Sequence, residues 1–175
     1  MDKAAVERDR TMQENGSRKV SVLVGGSHRY FSPEETQGLA GSHNPIEQKD
    51  ASYQLEMRAQ GEYRERNGKH YIRYEEISED SGEKIPHLLK IRGKVVEHIL
   101  DGGSAGHLHF EEGIRHYTDY RTPVGKLSVA VNTNSVEITE NEEGIFVRVE
   151  YELHLDGQKV ADTTTSIAVE FADEK

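Results

Sequence analysis

The chain has 175 residues, no cysteine and a formal net charge of −10, from 22 basic and 32 acidic residues. This length suits one domain with a single hydrophobic core. The absence of cysteine excludes disulfides and thiolate metal sites, so histidines and carboxylates are the candidate metal ligands. The acidic surplus is concentrated from Glu137 to Lys175, and it disfavours binding to nucleic acid.

The N-terminal part of the chain differs in character from the rest. Residues 1–18 are rich in charge and lack an apolar period, so we expect a disordered leader there. No stretch near the N-terminus is apolar enough for a signal peptide or a membrane span, which predicts a cytoplasmic protein that does not bind membranes. The predicted domain covers residues 19–172, and residues 173–175 form a tail.

The first predicted elements are a short strand and a helix. Val20, Val22 and Val24 alternate with less apolar or polar residues, which predicts a short strand that Gly25-Gly26 ends. Within residues 32–50, which we interpret as an insertion of helix and loop, Ser32-Pro33-Glu34-Glu35 has the pattern of a capping box with proline at the first helical position. We expect one short helix there, ending near Gly38.

A strong hairpin signal follows at Asn67-Gly68, where both turn positions require a positive φ. Strand pairing outward from this turn predicts three cross-strand pairs. These are Tyr63 with Ile72, Gly61 with Tyr74, and Glu62 with Arg73.

Three histidines lie close together around the turn at Glu111-Glu112-Gly113, namely His107, His109 and His116. A two-residue turn would place His109 opposite His116, in a geometry that suits a metal ligand pair. A three-residue loop with Gly113 in the left-handed conformation is the alternative.

We favour the three-residue loop because it gathers Leu108, Phe110 and Ile114 on one buried face. It pairs Phe110 with Ile114 and Leu108 with His116, and it leaves His107 on the opposite face. On this interpretation the histidines are exposed or hydrogen-bonded, and no metal site is predicted.

The last hairpin turns at Asp156-Gly157, and its apolar pattern fits only if one strand carries a bulge. With one extra residue, Tyr151 pairs with Thr163 and Ile145 with Val169, so that the apolar residues of both strands share a face. We therefore predict a β-bulge after this turn.

These segments predict an all-β domain of about eight to ten short antiparallel strands in up-and-down order, with one short helix in the N-terminal insertion. The size and the regular turn spacing favour a single barrel. A sandwich is the alternative architecture.

From about Gly61 the chain resembles the bacterial DUF1934 (YwiB-like) domain family of unknown function, whose members are described as calycin-like, lipocalin-like barrels. The residues that carry the resemblance are Gly61-Glu62-Tyr63, Asn67 to Glu76, Lys90-Ile91-Arg92-Gly93, Phe110 to Gly113 with Arg115, and Tyr120 to Gly125. The resemblance implies a calycin-like barrel in a cytoplasmic bacterial protein, and it implies no activity. The chain departs from the family pattern in two places. The segment from Ser32 to Asp50 is longer than the pattern predicts. The chain also has Ile99-Leu100-Asp101-Gly102 where the family has an arginine shortly before a glycine.

No catalytic motif is present: the sequence contains no nucleophile elbow, phosphate-binding loop or paired-histidine zinc motif. We therefore predict no catalytic residues, no metal and no cofactor. The feature that points to a function is a set of polar residues on the predicted inner face, which suit either a pocket lining or a filled core with satisfied hydroxyls. The candidate ligand-binding residues are Tyr63, Tyr74, His116, Thr118, Tyr120 and Tyr151.

Two functions are consistent with these features. The first is binding of a small, partly hydrophobic ligand in the barrel lumen. The alternative is a protein-interaction or structural module with a filled barrel, which uses an exposed strand edge or the segment from Ser32 to Asp50. A hydrolase or isomerase that uses His116 and Tyr120 ranks third, and we expect a monomer or weak homodimer.

Overall fold

The structure is a computed structural model that describes residues 16–30, 52–101 and 105–172. These residues form ten β-strands, and the three described ranges contain no helix. The strands are β1 (Arg18–Tyr30), β2 (Ser52–Arg66), β3 (Lys69–Ile77), β4 (Lys84–Arg92), β5 (Val95–Leu100), β6 (Gly106–Phe110), β7 (Arg115–Thr122), β8 (Gly125–Asn141), β9 (Gly144–Leu155) and β10 (Gln158–Phe171).

The strands form one antiparallel sheet in the order β6-β5-β4-β3-β2-β1-β10-β9-β8-β7. Successive strands are neighbours except β6 and β7, which form the two edges of the sheet, and β1 pairs with β10. Contacts between β6 and β7 bring the two sheet edges together, so the sheet curls into a nearly closed up-and-down barrel. The all-β barrel predicted from the sequence is confirmed, whereas the helix predicted to begin at Ser32 lies outside the described residues.

Strand β1 is longer than its sequence pattern predicts, and the prediction that Gly25-Gly26 ends it is wrong. Both glycines continue the strand, with Gly25 opposite Ser166 on one side and Glu56 on the other. Because β1 has a hydrogen-bonded neighbour on each side, the two ladders hold residues with a low strand preference. Residue 18, assigned to the leader from the sequence, is the first residue of this strand.

The two hairpin predictions that rested on turn chemistry are confirmed. Asn67 and Gly68 have φ values of 54° and 72°, and the predicted pairs form, including Tyr63 with Ile72. At the last hairpin the register shifts between Lys159 and Ala161, as a bulge requires.

The prediction for the turn at Glu111 to Gly113 is right for the left-handed conformation of Gly113 and wrong for the hairpin, because β6 and β7 do not pair across it. Gly113 is left-handed, with φ 78°, but Leu108 and His116 are not partners: His116 lies opposite Val131 of β8. The residues just before β7 are held by β8 instead: the Thr133 N–H donates to the Ile114 carbonyl at 3.2 Å, and the Gly113 N–H donates to the Thr133 carbonyl at 2.9 Å. Ile114, predicted to be buried, is 47% exposed.

Between β6 and β7 the barrel has a seam. In the described residues the two edges are joined by one antiparallel bridge, in which Ala105 and Arg121 exchange hydrogen bonds of 3.0 and 2.7 Å. No continuous ladder closes the sheet at this point.

The two ends of the barrel differ. At the end where β1 begins, the Arg18 end, Tyr63 and Phe171 pack at 4.8 Å between ring centres, with the Arg18 guanidinium over Phe171. At the opposite end, the Tyr30 end, apolar interior residues pack against the core but remain partly exposed. These are Val24, Met57, Ala59, Tyr120, Leu127, Leu153 and Leu155.

Candidate functional site

A cleft opens in the barrel wall where β2 and β3 separate. Their pairing ends at Gly61 and Tyr74, although β2 continues back to Ser52 and β3 runs on to Ile77. Gly61 allows the close approach at this point, because a Cβ there would lie 2.6 Å from the Arg73 carbonyl oxygen. The cleft begins where this pairing stops.

The cleft has a volume of about 630 Å³ and reaches Tyr74 and His87. This volume lies within the range of small-molecule sites. Its rim is polar and includes an ion pair of 2.8 Å between Lys19 and Glu62. The lining is Lys19, Gln60, Gly61, Glu62, Arg73, Tyr74, Glu75, Pro86, His87, Leu88, Ile99 and Asp101.

Tyr74 and His87 belong to a hydrogen-bonded chain of four side chains. His87 Nε2 lies 3.0 Å from Glu76 Oε2, and His87 Nδ1 lies 2.9 Å from His98 Nε2. The Tyr74 hydroxyl lies 3.2 Å from the same His98 nitrogen, and its ring stacks on His87 at 4.7 Å. The network, called here the Glu76 network, comprises Glu76, His87, His98 and Tyr74, and it runs from the half-exposed Glu76 into the barrel.

The chemistry of the groups determines which of them donate. A carboxylate only accepts, so His87 donates from Nε2 to Glu76. In neutral His87 the Nδ1 atom is then an acceptor, and His98 donates to it from Nε2. The Tyr74 oxygen lies within reach of the same His98 N–H.

Burial keeps most of this network uncharged. Desolvation, with a smaller contribution from His87, lowers the pKa of His98 to about 4. Desolvation also lowers the pKa of His87, although Glu76 opposes this, and it raises the pKa of the Tyr74 hydroxyl. Near pH 7 the two histidines are therefore neutral hydrogen-bonding groups, which are weak bases and suit the orientation of a ligand better than proton abstraction.

A second polar group crosses the opposite part of the interior as a row of paired residues. His28 lies opposite Thr163, Thr163 opposite Tyr151, and Tyr151 opposite Thr133. The His28 Nδ1 and Thr163 Oγ1 atoms are 3.1 Å apart. Burial raises the pKa of Tyr151, against hydrogen bonds with Thr165 and Thr163 that lower it.

Thr133 is 3% exposed, and its hydroxyl is the buried side-chain group that has no hydrogen-bond partner among the described residues. A buried hydroxyl without a partner destabilises the fold unless a water or a ligand satisfies it. Tyr151, the cross-strand partner of Thr133 on β9, packs on Phe110 with 4.9 Å between ring centres.

The structure distributes the six sequence-predicted site residues over different parts of the barrel. Tyr74 belongs to the Glu76 network and Tyr151 to the opposite row, whereas Tyr63 lies at the Arg18 end with its hydroxyl 2.9 Å from His70 Nδ1. Tyr120 is partly buried and lies against Gly106, where a Cβ would be 2.2 Å from its ring.

The other two predicted residues lie on the same strand. Thr118 is partly buried opposite Val129, and His116 lies opposite Val131. The His116 ring packs against His107 and His109 at the seam. Tyr63 at the Arg18 end and His116 at the seam thus lie apart from the Glu76 network, and the role of the predicted set in ligand binding stays a prediction.

Sequence reasoning missed His28, Glu76, His87 and His98. The turn at Gly93, whose φ is 57°, carried a usable signal: pairing outward from it sets Leu89 opposite His98 and His87 opposite Leu100. Glu76 contacts His87 across the consecutive strands β3 and β4. For His28 no local pattern exists, because its partner Thr163 lies on β10, which only the barrel brings beside β1.

Comparisons with known proteins identify the family. The model of a domain of unknown function, DUF1934, matches residues 42–167, which begins after β1 and ends within β10. The crystal structure of the ywiB protein from Bacillus subtilis is similar with a TM-score of 0.68 and 18% identity, over 90% of this chain and 94% of that chain. No curated protein matches. Because the family model covers well over half of the residues, the chain belongs to the DUF1934 family.

Proposed function

We propose that this barrel binds a small, partly apolar molecule in the cleft where β2 and β3 separate. The observation that carries the proposal is the volume of this cleft, about 630 Å³, and its reach to the neutral groups Tyr74 and His87. Ligand sites in proteins combine an apolar lining with a few placed polar groups, and the cleft has both.

The apolar contribution comes from Pro86, Leu88 and Ile99, which line the cleft. A molecule that covered them would gain roughly 25 cal/mol for each Å² of apolar surface removed from water.

The polar contribution favours a hydroxyl or carbonyl group on the ligand over a carboxylate. His87, His98 and Tyr74 are uncharged near neutral pH, and the one ionised member of their network is the carboxylate of Glu76. An anionic group placed beside Glu76 would be repelled. The Glu76 network therefore supports a neutral ligand.

The test is native mass spectrometry of protein purified from its host, with two tryptophan variants. Gln60→Trp places a bulky ring at the cleft, whereas Arg58→Trp places it on the same face of the same strand outside the cleft lining, as a matched control. We expect an added mass in the wild type and in Arg58→Trp, and its loss in Gln60→Trp. The apo mass alone in every preparation of the wild type would refute ligand binding.

A second candidate is a protein-interaction module, and the seam is the observation that favours it. Among the described residues, no continuous ladder of backbone hydrogen bonds joins β6 to β7, and the two edges are linked by the bridge between Ala105 and Arg121. Unpaired strand edges of this kind can accept a further strand from another protein. Light scattering after gel filtration tests the related expectation of a monomer or weak homodimer. A stable larger assembly would favour the interaction module.

The cellular setting is part of the same proposal. The described residues include no helix with the length and apolar character needed to span a membrane. We infer a cytoplasmic bacterial protein with a calycin-like relationship, supported by the absence of cysteine and by the barrel. Fractionation of host cells tests the location.

A further inference from the structure

Three histidine rings meet at the seam between β6 and β7. His107 and His109 are alternate residues of β6 and share one face, while His116 belongs to β7. The ring centre of His116 lies 5.9 Å from that of His107 and 5.2 Å from that of His109. This seam cluster is separate from the Glu76 network, and the proposed ligand site does not use it.

The distances from the His116 ring to the other two rings are close to those between imidazoles on one metal ion. With Zn–N bonds of about 2.0–2.1 Å and tetrahedral angles, two bound imidazoles have ring centres about 5 Å apart. The distance from His116 to His109 agrees with this value, and the distance to His107 exceeds it by less than 1 Å.

Two carboxylates hold the rings of the β6 histidines. Glu97 Oε1 lies 3.1 Å from His107 Nε2, and Glu111 Oε2 lies 3.2 Å from His109 Nε2. Since a carboxylate accepts, each neutral ring carries its proton on Nε2 and keeps a lone pair on Nδ1. In protein metal sites a carboxylate commonly orients a histidine ligand through the other ring nitrogen in this way. Lys69 lies beside this cluster, since it forms an ion pair of 3.1 Å with Glu97, the carboxylate that contacts His107.

We propose that His107, His109 and His116 bind one divalent transition-metal ion, with Glu97 and Glu111 as positioning residues. Three imidazoles select Zn²⁺ and its first-row neighbours over Mg²⁺ and Ca²⁺, which prefer oxygen ligands. As they stand, no three histidine or carboxylate side chains among the described residues are already spaced as a coordination sphere. Binding therefore requires small side-chain rotations, which the partial exposure of His107 (42%) and His109 (24%) permits.

Metal binding here would act on the weakest connection in the barrel. One bridge, between Ala105 and Arg121, joins the two strands among the described residues. Because the ligands come from both strands, a bound ion would hold the seam closed and raise the unfolding temperature.

The experiment is calorimetric titration of the untagged, metal-free protein with ZnCl₂, followed by Co²⁺ absorption spectroscopy. We expect one Zn²⁺ per chain, binding weakened by roughly tenfold or more in His116→Gln and in His109→Gln, and no binding of Mg²⁺. His154→Gln is the matched control, since this partly buried histidine lies on β9 and contacts Glu152. Its affinity should equal that of the wild type, and bound Co²⁺ should show a tetrahedral spectrum in both.

Two results would overturn the proposal. One is the absence of heat and of a thermal shift with about 100 µM Zn²⁺, a concentration that would saturate a site with micromolar affinity. The other is unchanged Zn²⁺ affinity in His116→Gln. If His116→Gln does not fold, the exposed substitutions His107→Gln and Glu111→Gln decide the matter, because a metal site requires both to weaken binding.

Discussion

The buried histidine of the Glu76 network predicts how the stability of the protein depends on pH. The pKa of His98 is about 4 in the folded protein against 6.5 for an ordinary histidine. Between these values the unfolded chain binds a proton that the folded protein does not, so the stabilisation is complete above pH 6.5 and is lost as the pH falls towards 4. Between pH 7 and pH 5 this one group lowers the free energy of unfolding by about 2 kcal/mol.

The perturbation is His98→Gln. A glutamine amide can still donate to His87 Nδ1, but it does not titrate. Urea unfolding at pH 7 and pH 5 should show a loss of stability that is smaller in the variant than in the wild type by about 2 kcal/mol. His87 keeps its own lowered pKa in both proteins, so the difference between them reports on His98.

The control for this experiment is Val124→Gln, which introduces the same amide at a 98% exposed position without removing a titratable group. Its pH dependence should follow that of the wild type. Equal losses of stability in His98→Gln and the wild type between pH 7 and 5 would show that His98 is not a buried neutral group, and the account of the Glu76 network would then be wrong.

Three further substitutions test individual features of the barrel by urea or thermal unfolding. Gly61→Ala should cost about 1–3 kcal/mol, because the added Cβ would lie 2.6 Å from the Arg73 carbonyl oxygen; a neutral result would contradict this close approach. Thr133→Val removes a hydroxyl without a partner among the described residues, so it should leave the free energy of unfolding unchanged or raise it by up to about 1 kcal/mol. A clear decrease in the free energy of unfolding would mean that the hydroxyl has a hydrogen-bond partner. Glu152 has a pKa of about 2, held down by hydrogen bonds from Lys159 and other neighbours, so the stability it contributes is present above pH 4.5 and is lost on acidification towards pH 2. Glu152→Gln should lower the free energy of unfolding by about 1 kcal/mol at pH 7 and weaken the loss of stability between pH 4.5 and 2. An unchanged loss of stability over that pH range would exclude the ion pair as a stabilising contact.

Turn chemistry and the apolar pattern together predicted the strand pairing at two hairpins, whereas at Glu111 to Gly113 the same reasoning gave the wrong partner for His116. Asn67-Gly68 requires two positive φ angles, and the positions of Tyr63 and Ile72 then follow from the alternation of a strand. The bulge after Gly157 was predictable for the same reason, since only one register places the apolar residues of both strands on one face.

The candidate site was harder to predict because its members are far apart in sequence. Tyr74 and His87 meet through the pairing of β3 with β4, and His98 joins them from β5. The turn at Gly93 implied part of this arrangement, but the neutral state of His98 depends on burial, which no local pattern shows.

The sequence by itself determined the strands, most of the turns and the registers next to those turns, because backbone angles and the period of two are local properties. Only the tertiary structure decided that Gly25-Gly26 continues β1, that the start of β7 pairs with β8 rather than β6, and that three histidines meet at the seam. These features depend on how a ten-stranded sheet curls until its edges approach. Closure of that kind is set by the whole chain together, so no single segment of the sequence encodes it.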